Sequence, residues 1–216
     1  MEPRLRDRAR RILSQLKKDQ PTASVELTHS TPFELLVATI LSAQCTDKRV
    51  NSVTPRLMAR FPQALDFARA DPGELESMIR PTGFYRRKAQ SLIKSGRLLV
   101  DRFQGQVPQT MEALTALPGI GRKTANVILG TSFGKPAVVV DTHVKRVSNR
   151  LKFTTNSEPT KIEYDLQGVF PRSEWIRGSH RLLLHGRYVC LARKPKCERC
   201  VIYDDCPWEG KRPAKC

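Results

Sequence analysis

A glycine turn, a lysine and an aspartate lie within one short stretch of this chain, from Leu117 to His143. The turn reads Leu117-Pro118-Gly119-Ile120-Gly121, and its glycines can leave backbone N–H groups open to a phosphate. Lys123 follows just inside the predicted helix, and its amine is a potential nucleophile. Asp141, eighteen positions further on, could act as an acid, a base or a charge-stabilising partner. These residue types predict an enzyme that holds a phosphate backbone and attacks its substrate with a lysine.

Lys123 can act as a nucleophile only if its amine loses a proton. An ordinary lysine has a pKa of ~10.4, so half deprotonation at neutral pH requires a shift that costs ~4 kcal/mol. The helix N-terminus and the neighbouring Arg122 both disfavour the charged form, and burial would add to their effect. A lysine chosen at random is more often a solvated helix residue, but this motif favours the nucleophile. Asp141 could also be the N-cap of the next helix, and His143 is more typical of a packing or hydrogen-bonding residue.

The charge of the chain indicates a polyanionic partner. It has 38 Lys and Arg against 21 Asp and Glu among its 216 residues, which gives a formal net charge of +17. Solubility alone needs a net charge of only about 2–8 in magnitude, so a nucleic acid is favoured over a generic basic surface. The longest apolar run, Leu35–Ala43, is far shorter than the ~20 residues of a membrane span. The N-terminal segment is charged and lacks an apolar signal core, which predicts an intracellular, cytoplasmic protein.

Four cysteines near the end of the chain form a C-x6-C-x2-C-x5-C pattern, made of Cys190, Cys197, Cys200 and Cys206. Thiolates this close in sequence can converge on one metal centre, and an intracellular location disfavours disulfides. The irregular spacing favours an iron–sulfur cluster, with zinc as the alternative. Basic residues around the pattern could also contact DNA phosphates. We expect Cys45 to be a small buried residue and Cys216 to be a free terminal thiol.

The elements that must position these side chains are predicted to be short helices, so the fold class is all-α. Thr31-Pro32-Phe33-Glu34 predicts a capped start for a buried helix through Leu41, and Asp71 caps another start. Asp47 is expected to be a helix cap first and a site residue second. Ala137–Val140 favours a strand by propensity but has no clear pairing partner, so we expect an extended connector. Further helices are predicted over residues 5–16, 85–103, 111–116, 142–152, 161–170 and 175–189, and one after Gly121 that ends at Gly130.

These segments resemble the endonuclease III family of helix–hairpin–helix DNA glycosylases. The resemblance is carried by LLVATILSAQCTDKRVN, TGFYRRKA, LPGIGRKTANVIL, VDTH and HGRYVC with the cysteine pattern, from about Thr31 to Cys206. It implies a two-lobed fold, with a barrel-like helical domain, a C-terminal cluster domain, and the DNA groove and active site between the lobes. It also implies that the N-terminal helix packs with the C-terminal half. The implied domains are residues 23–135 and a discontinuous iron–sulfur domain of residues 1–22 plus 136–216.

The resemblance also implies roles for individual residues. Lys123 would be the nucleophile, forming a Schiff base that leads to β-elimination, with Asp141 as the catalytic aspartate. Gln44 would insert opposite an extruded nucleotide, and Phe84 stands where the family often carries an intercalating leucine. A core aromatic is an equally good interpretation of Phe84. The remaining implied sites are DNA contacts at Pro118, Gly119, Gly121, Arg122 and His143, and 4Fe–4S ligands at Cys190, Cys197, Cys200 and Cys206.

The prediction is therefore a bifunctional DNA glycosylase and AP lyase that excises oxidised pyrimidines in base excision repair. Its partner would be double-stranded DNA with damaged pyrimidines or abasic sites, and the protein would be a nucleoid-associated monomer without a membrane partner. One alternative is a monofunctional mismatch glycosylase, but those relatives lack a lysine at the Lys123 position. Another is a non-catalytic DNA-binding module with a structural metal, which would tolerate the loss of Lys123 and Asp141.

Overall fold

The computed structural model describes residues 3–212, which form helices and connecting turns without a β-strand. The predicted all-α class is confirmed, whereas the prediction for Cys216 falls outside the described residues. Short 3₁₀ turns span Arg80–Thr82, Arg172–Glu174 and Cys197–Arg199. The α-helices are α1 (Pro3–Asp19), α2 (Pro32–Leu41), α3 (Asp47–Arg60), α4 (Ala64–Ala68), α5 (Pro72–Ile79), α6 (Tyr85–Phe103), α7 (Met111–Thr115), α8 (Arg122–Phe133), α9 (Thr142–Arg150), α10 (Pro159–Val169) and α11 (Trp175–Tyr188).

The chain divides into two compact units. One unit is continuous and spans Val25–Lys135, so it contains α2 to α8. The other combines the residues up to Ser24 with those from Pro136 onward, so α1 joins α9 to α11. We refer to them as the continuous unit and the discontinuous unit.

Side-chain caps set most of the predicted helix starts. Thr31 Oγ1 accepts a hydrogen bond from the backbone N–H of Glu34 at 3.1 Å, and the Glu34 carboxylate accepts one from Ser30 N at 2.5 Å. Asp71 caps α5 by accepting from Glu74 N at 2.8 Å. Each cap satisfies an N–H that has no partner within its helix.

Two local predictions were wrong. Asp47 is the first residue of α3 rather than its cap, because Thr46 Oγ1 takes that place and accepts from Arg49 N at 3.4 Å. Gly130 does not end α8, since it is buried inside the helix. The helix continues to Phe133 and stops at Gly134, whose φ of +62° is the left-handed conformation that glycine adopts readily.

The continuous unit is built around the buried helix α2 and the long helix α6. Seven consecutive residues of α2, Leu35 to Leu41, are buried, and α2 packs on α3, α6 and α8. Helix α6 lies close against α4 at Gly96, where an added Cβ would be 2.8 Å from the Ala64 carbonyl oxygen. This close approach fixes α6, and α6 in turn supports the glycine turn described below.

The discontinuous unit has its own apolar core. Ala9, Ile12 and Leu16 of α1 are fully buried, and α1 packs on α10 and α11. The expected packing of the N-terminal helix with the C-terminal half is thus present. Residues 137–140 are an extended, buried connector, as expected, and Val139 N donates to Ser179 Oγ at 3.2 Å.

Across residues 3–212, no helix is both long and apolar enough to cross a membrane.

Candidate active site and metal centre

The glycine turn is fastened to the continuous unit by its apolar side chains. Leu117 and Ile120 are buried, whereas both glycines of the turn are exposed. Ser95 of α6 donates a hydrogen bond from Oγ to the carbonyl oxygen of the half-buried Pro118 at 3.1 Å. The buried side chains and the Ser95 hydrogen bond therefore hold the turn in place, and the backbone around its glycines faces solvent.

The two glycines serve different purposes. Gly119 has a φ of +88°, and a Cβ there would lie 3.3 Å from Ser91 Cβ and 3.4 Å from Ile40 Cγ2. Glycine is therefore needed at Gly119 for the fold itself. Gly121 has a φ of −97°, and its Cβ would meet nothing within 4 Å. Because Gly121 is the N-cap of α8, the space beside it adjoins helix N–H groups that lack an acceptor within the helix, which suits an anion.

Lys123 is the second residue of α8 and is exposed. Its amine is therefore accessible to an approaching substrate. Arg122 beside it is half-buried. Ala125 and Ile128 of the same helix are fully buried and fix its orientation. The result is an amine on a rigid support, immediately after the open glycine turn.

Asp141 caps α9, as one of the two interpretations predicted. Its Oδ1 accepts a hydrogen bond from Val144 N at 2.7 Å, and the residue is half-buried. Within the described part of the chain, Oδ2 has no hydrogen-bond donor. His180 of α11 lies close enough to interact electrostatically with this carboxylate; burial lowers the pKa of His180 to about 4 despite the opposing effect of Asp141. A neutral imidazole therefore accompanies Asp141 at neutral pH.

His143 packs against α11. It is half-buried, and an added Cβ on Gly186 would lie 2.9 Å from its Cβ. Its Nδ1 is 3.2 Å from Arg146 Nη2, which also donates to the Gly186 carbonyl oxygen at 2.7 Å. These contacts are those of the packing and hydrogen-bonding residue that the sequence favoured.

Gln44 and Phe84 are both exposed residues with left-handed backbone. Gln44 has a φ of +52° just after α2, and Phe84 has a φ of +48° just before α6. Phe84 is 63% exposed, so its interpretation as a core aromatic was wrong. Left-handed conformations are costly for residues other than glycine, and exposed apolar rings lack packing to repay that cost. Such positions are typical of residues kept for contact with a ligand.

The four C-terminal cysteines line one cavity in the discontinuous unit. Its lining includes Cys190, Cys197, Cys200 and Cys206, together with the side chains of Arg150, His185 and Lys211. None of the four forms a disulfide. Burial raises the pKa of Cys200 to about 11 and also raises the pKa of Cys206. Without a metal the Cys200 and Cys206 thiols keep their protons at neutral pH, and metal coordination would displace those protons.

The four cysteines supply the chemistry of a metal centre. Among residues 3–212, no three His, Cys, Asp or Glu side chains are placed to hold one metal ion. Four cysteine thiols around one shared cavity are the donor set that an iron–sulfur cluster requires.

Cationic and polar side chains that the sequence analysis did not single out surround this cavity. Arg150, at the end of α9, donates to Cys190 Sγ at 3.1 Å and to the carbonyl of Leu191 at 2.8 Å. Its guanidinium also stacks 3.9 Å from the centre of the Trp208 ring. His185 Nε2 lies 3.7 Å from Cys200 Sγ. These residues come from different elements, so their spacing from the cysteines carried no signal.

Lys88 is another residue that the sequence analysis missed. It is 4% exposed and belongs to the buried face of α6, with Leu92, Ser95 and Leu99. A lysine at core-facing helical spacing was a signal that could have been noticed.

The predicted site residues are thus divided between the units. The glycine turn, Arg122, Lys123, Gln44 and Phe84 belong to the continuous unit, where the turn lies close to Ile40 of α2 and Ser91 of α6. The discontinuous unit brings Asp141, His143 and the cysteines onto or around α9.

The sequence of this chain is similar to those of known DNA repair proteins. Residues 37–172 match the HhH-GPD superfamily of base excision DNA repair proteins, and residues 190–206 match the iron–sulfur binding domain of endonuclease III. The cofactor is accordingly a 4Fe–4S cluster. The chain is 50% identical to endonuclease III of a Synechocystis species over 203 residues, which cover 94% of this chain and 93% of that protein.

Solved structures agree with the sequence relatives. A non-covalent endonuclease III–DNA complex superimposes with a TM-score of 0.89 at 43% identity, covering 94% of this chain and 95% of that one. A trapped endonuclease III–DNA covalent intermediate, an estranged-adenine complex, gives a TM-score of 0.88 at 42% identity with the same coverage. This chain therefore belongs to the endonuclease III family, within the helix–hairpin–helix superfamily of base excision DNA repair proteins.

Proposed function

We propose that this protein is a bifunctional DNA glycosylase and AP lyase that acts in base excision repair, with oxidised pyrimidines and abasic sites as its substrates. The observation that carries the proposal is the exposed Lys123 on the first turn of α8, directly after an open glycine turn. A phosphate-binding turn and an amine nucleophile on one rigid element are what a lyase on DNA requires.

DNA is held first through its backbone. The N–H groups at the start of α8, next to Gly119 and Gly121, bind a phosphate and fix the register of the duplex without reading bases. Arg122, Pro118 and His143 contribute further contacts to the DNA. The net charge of +17 raises the local concentration of the polyanion.

Lys123 then carries out the chemistry. Its unprotonated amine attacks C1′ of the damaged nucleotide, and the N-glycosidic bond breaks as the base leaves with the bonding electrons. Ring opening gives a Schiff base between Nζ and C1′. Removal of a proton from C2′ then expels the 3′ phosphate by β-elimination, and water releases the lysine. Lys123 is exposed in the free protein, so the sugar of a bound nucleotide can approach its amine.

Asp141 stabilises the positive charge that develops on the sugar as the base leaves. The cap at Oδ1 fixes the carboxylate, and Oδ2 is the oxygen left for the substrate. Because His180 is neutral at neutral pH, it does not compensate the negative charge of this carboxylate.

Gln44 and Phe84 fill the space that an extruded nucleotide leaves in the duplex. Their exposure and their left-handed backbones support this role. The phenyl ring of Phe84 can stack on the neighbouring bases, where a leucine would only wedge.

The four cysteines Cys190, Cys197, Cys200 and Cys206 would hold the 4Fe–4S cluster. When bound, the cluster supplies iron–thiolate bonds that cross-link the chain after α11. We further propose that residues 23–135 and residues 1–22 plus 136–216 act as the two domains, which the two compact units support. Work on chromosomal DNA would make the protein nucleoid-associated.

Borohydride trapping tests the proposal. The protein is incubated with a duplex that carries an abasic site or thymine glycol, and borohydride reduces any Schiff base to a stable adduct. The wild-type protein should form the adduct and Lys123→Ala should not. Lys94→Ala is a matched control, because Lys94 is an exposed lysine of the same unit. Absence of the wild-type adduct would refute the lyase, and base release without an adduct would establish the monofunctional alternative.

A further inference from the structure

Lys88 places an ammonium group inside the continuous unit, where it donates hydrogen bonds to two backbone carbonyls. The residue is 4% exposed, and its Nζ donates to the carbonyl oxygens of Leu41 at 2.7 Å and of Thr82 at 2.8 Å. Burial lowers the pKa of Lys88 from its ordinary value, whereas the nearby Cys45 opposes this shift. Cys45 itself is half-buried, so its prediction as a buried residue was wrong.

The first of the two carbonyls ends the helix that leads to Gln44. Leu41 is the last residue of α2, and the backbone turns over the next residues to reach Gln44 in its left-handed conformation. The last carbonyl oxygens of a helix receive no hydrogen bond from within the helix, and they carry partial negative charge. The Lys88 ammonium satisfies one of them, three residues before Gln44.

The second carbonyl lies just before Phe84. Thr82 ends the 3₁₀ turn, Gly83 follows with a φ of +69°, and Phe84 then opens α6. Lys88 also donates its backbone N–H to the Phe84 carbonyl oxygen at 3.0 Å. Lys88 therefore bonds to the chain at two points around Phe84. Its side chain binds the Thr82 carbonyl just before Phe84, and its backbone N–H binds the carbonyl of Phe84 itself.

A purely apolar packing role does not account for a lysine here. Methionine or leucine would fill the space without removing an ammonium from water. What those residues lack is the ability to bind two carbonyls at once, one in each of the two segments. Those segments carry the exposed residues Gln44 and Phe84, whose left-handed backbones need support from their surroundings.

We propose that Lys88 is a positioning residue, which ties the Gln44 segment to the Phe84 segment so that both side chains enter a damaged duplex together. This inference rests on the proposed function, because it holds that Lys88 sets the distance between Gln44 and Phe84, the two residues proposed to enter the DNA. Without this link each segment would insert independently, and recognition of a lesion would lose the benefit of a preorganised pair.

The test compares binding to two duplexes that the enzyme cannot cleave. One contains a tetrahydrofuran abasic analogue with 2-aminopurine opposite, and the other is the undamaged duplex. In Lys88→Met the preference for the analogue should fall about tenfold, equivalent to ~1.4 kcal/mol, and the rise in 2-aminopurine fluorescence should shrink with it. Affinity for undamaged DNA should stay unchanged. Lys94→Met, an exposed lysine on the same helix, is the control and should behave as wild type.

Two further variants separate positioning from folding. Lys88→Gln retains an amide donor that can reach one carbonyl, so its preference for the analogue should fall by less than that of Lys88→Met. This variant also serves as the test if Lys88→Met does not fold. Lys88→Met in a Gln44→Ala, Phe84→Ala background should cause no further loss of preference. A general weakening of the fold would instead lower binding in that background too.

Retention of the full analogue preference in Lys88→Met and Lys88→Gln would overturn the inference, as would an equal loss on undamaged DNA. If the wild-type protein itself showed no preference for the analogue, the proposed function would fall and the inference with it. A normal wild-type preference and borohydride adduct with no effect of Lys88 would refute the inference alone.

Discussion

Asp141 combines a helix cap with a candidate catalytic charge, and one carboxylate oxygen is assigned to each task in the structure. Oδ1 receives the Val144 N–H, and Oδ2 faces no donor among the described residues. The sequence alone left the two interpretations open because aspartate is equally suited to both. Single substitutions at Asp141 can now separate them.

Asp141→Asn should retain the cap and lose the charge. Asparagine caps helices as well as aspartate does, so the midpoint of thermal unfolding should remain near that of the wild type. Base excision should slow by ~10²–10⁴, the usual contribution of a positioned acid–base or charge-stabilising group. Single-turnover release of thymine glycol measures this rate. Asp141→Ala should lose the cap as well, at about 1 kcal/mol; an Asn variant of normal activity would leave Asp141 as a cap only.

His180 should make the discontinuous unit sensitive to acid. Its folded-state pKa of about 4 lies below the ordinary 6.5, so between these values the unfolded chain binds a proton that the folded chain does not. Stability is therefore lost as the pH falls, by about 2 kcal/mol from pH ~7 to pH ~5 for this residue. His180→Gln should lose that part of the pH dependence.

Tryptophan fluorescence during urea unfolding measures this effect, because both tryptophans of the chain, Trp175 and Trp208, belong to the discontinuous unit. His29→Gln, in the continuous unit, is the control and should keep the wild-type pH dependence. An unchanged pH dependence in His180→Gln would contradict the prediction.

At the scale of elements, the glycine turn and α8 form a preassembled anion site. Buried side chains hold the turn, α6 supports it through Ser95, and Gly121 opens the helix. The two glycines look alike in the sequence, but the structure gives them distinct roles. Gly119 is required by backbone conformation, whereas Gly121 is required only if something approaches closely from outside.

Gly121→Ala should therefore weaken DNA binding without weakening the fold. Alanine adopts a φ of −97° without strain and meets no atom within 4 Å, so stability should change by less than about 0.5 kcal/mol. Its methyl group would stand where a phosphate must approach, and affinity for abasic DNA should fall about tenfold, or ~1.4 kcal/mol. Gly119→Ala should also lose stability, by about 1–2 kcal/mol, because of its left-handed backbone. Equilibrium binding and chemical unfolding check both variants; wild-type affinity in Gly121→Ala would argue against a phosphate at this point.

Helix α9 has a related role in the discontinuous unit. It begins at the Asp141 cap and ends at Arg150, which bonds to Cys190 Sγ and to the backbone that follows. Arg146, one turn earlier, donates to the Cys190 carbonyl oxygen at 3.1–3.2 Å. One helix therefore connects the candidate catalytic carboxylate to the cysteine segment.

At the scale of the whole molecule, the charge of +17 should dominate affinity for DNA. Each phosphate contact releases a counterion, so the binding constant should fall by ~10²–10³ between about 50 and 200 mM salt for about four to six contacts. A filter-binding or anisotropy titration across this range measures the slope. The single-turnover cleavage rate at saturating enzyme is the control and should change little, because salt acts on association. A flat binding curve would contradict the electrostatic argument.

Features that depend on residues close together in the chain could be predicted from the sequence. Thr31 and Asp71 cap their helices through side chains three positions from the N–H groups they bind, so the starts of α2 and α5 could be predicted. The glycine turn, the nucleophile candidate after it and the cysteine pattern are likewise local, and family resemblance supplied their joint meaning. Net charge depends only on composition, and it indicated a nucleic-acid partner.

Burial and contacts between distant parts of the chain could not be predicted in this way, because they depend on the folded structure. Phe84 could have been a core aromatic, but it is 63% exposed and follows Gly83 with a left-handed backbone. Gly130 could have ended α8, but packing buries it and the helix continues to Gly134. Lys88 binds a carbonyl 47 residues away, and Arg150 contacts a cysteine 40 residues away. Contacts over such separations leave no periodicity or spacing in the sequence, because the fold alone brings their partners together.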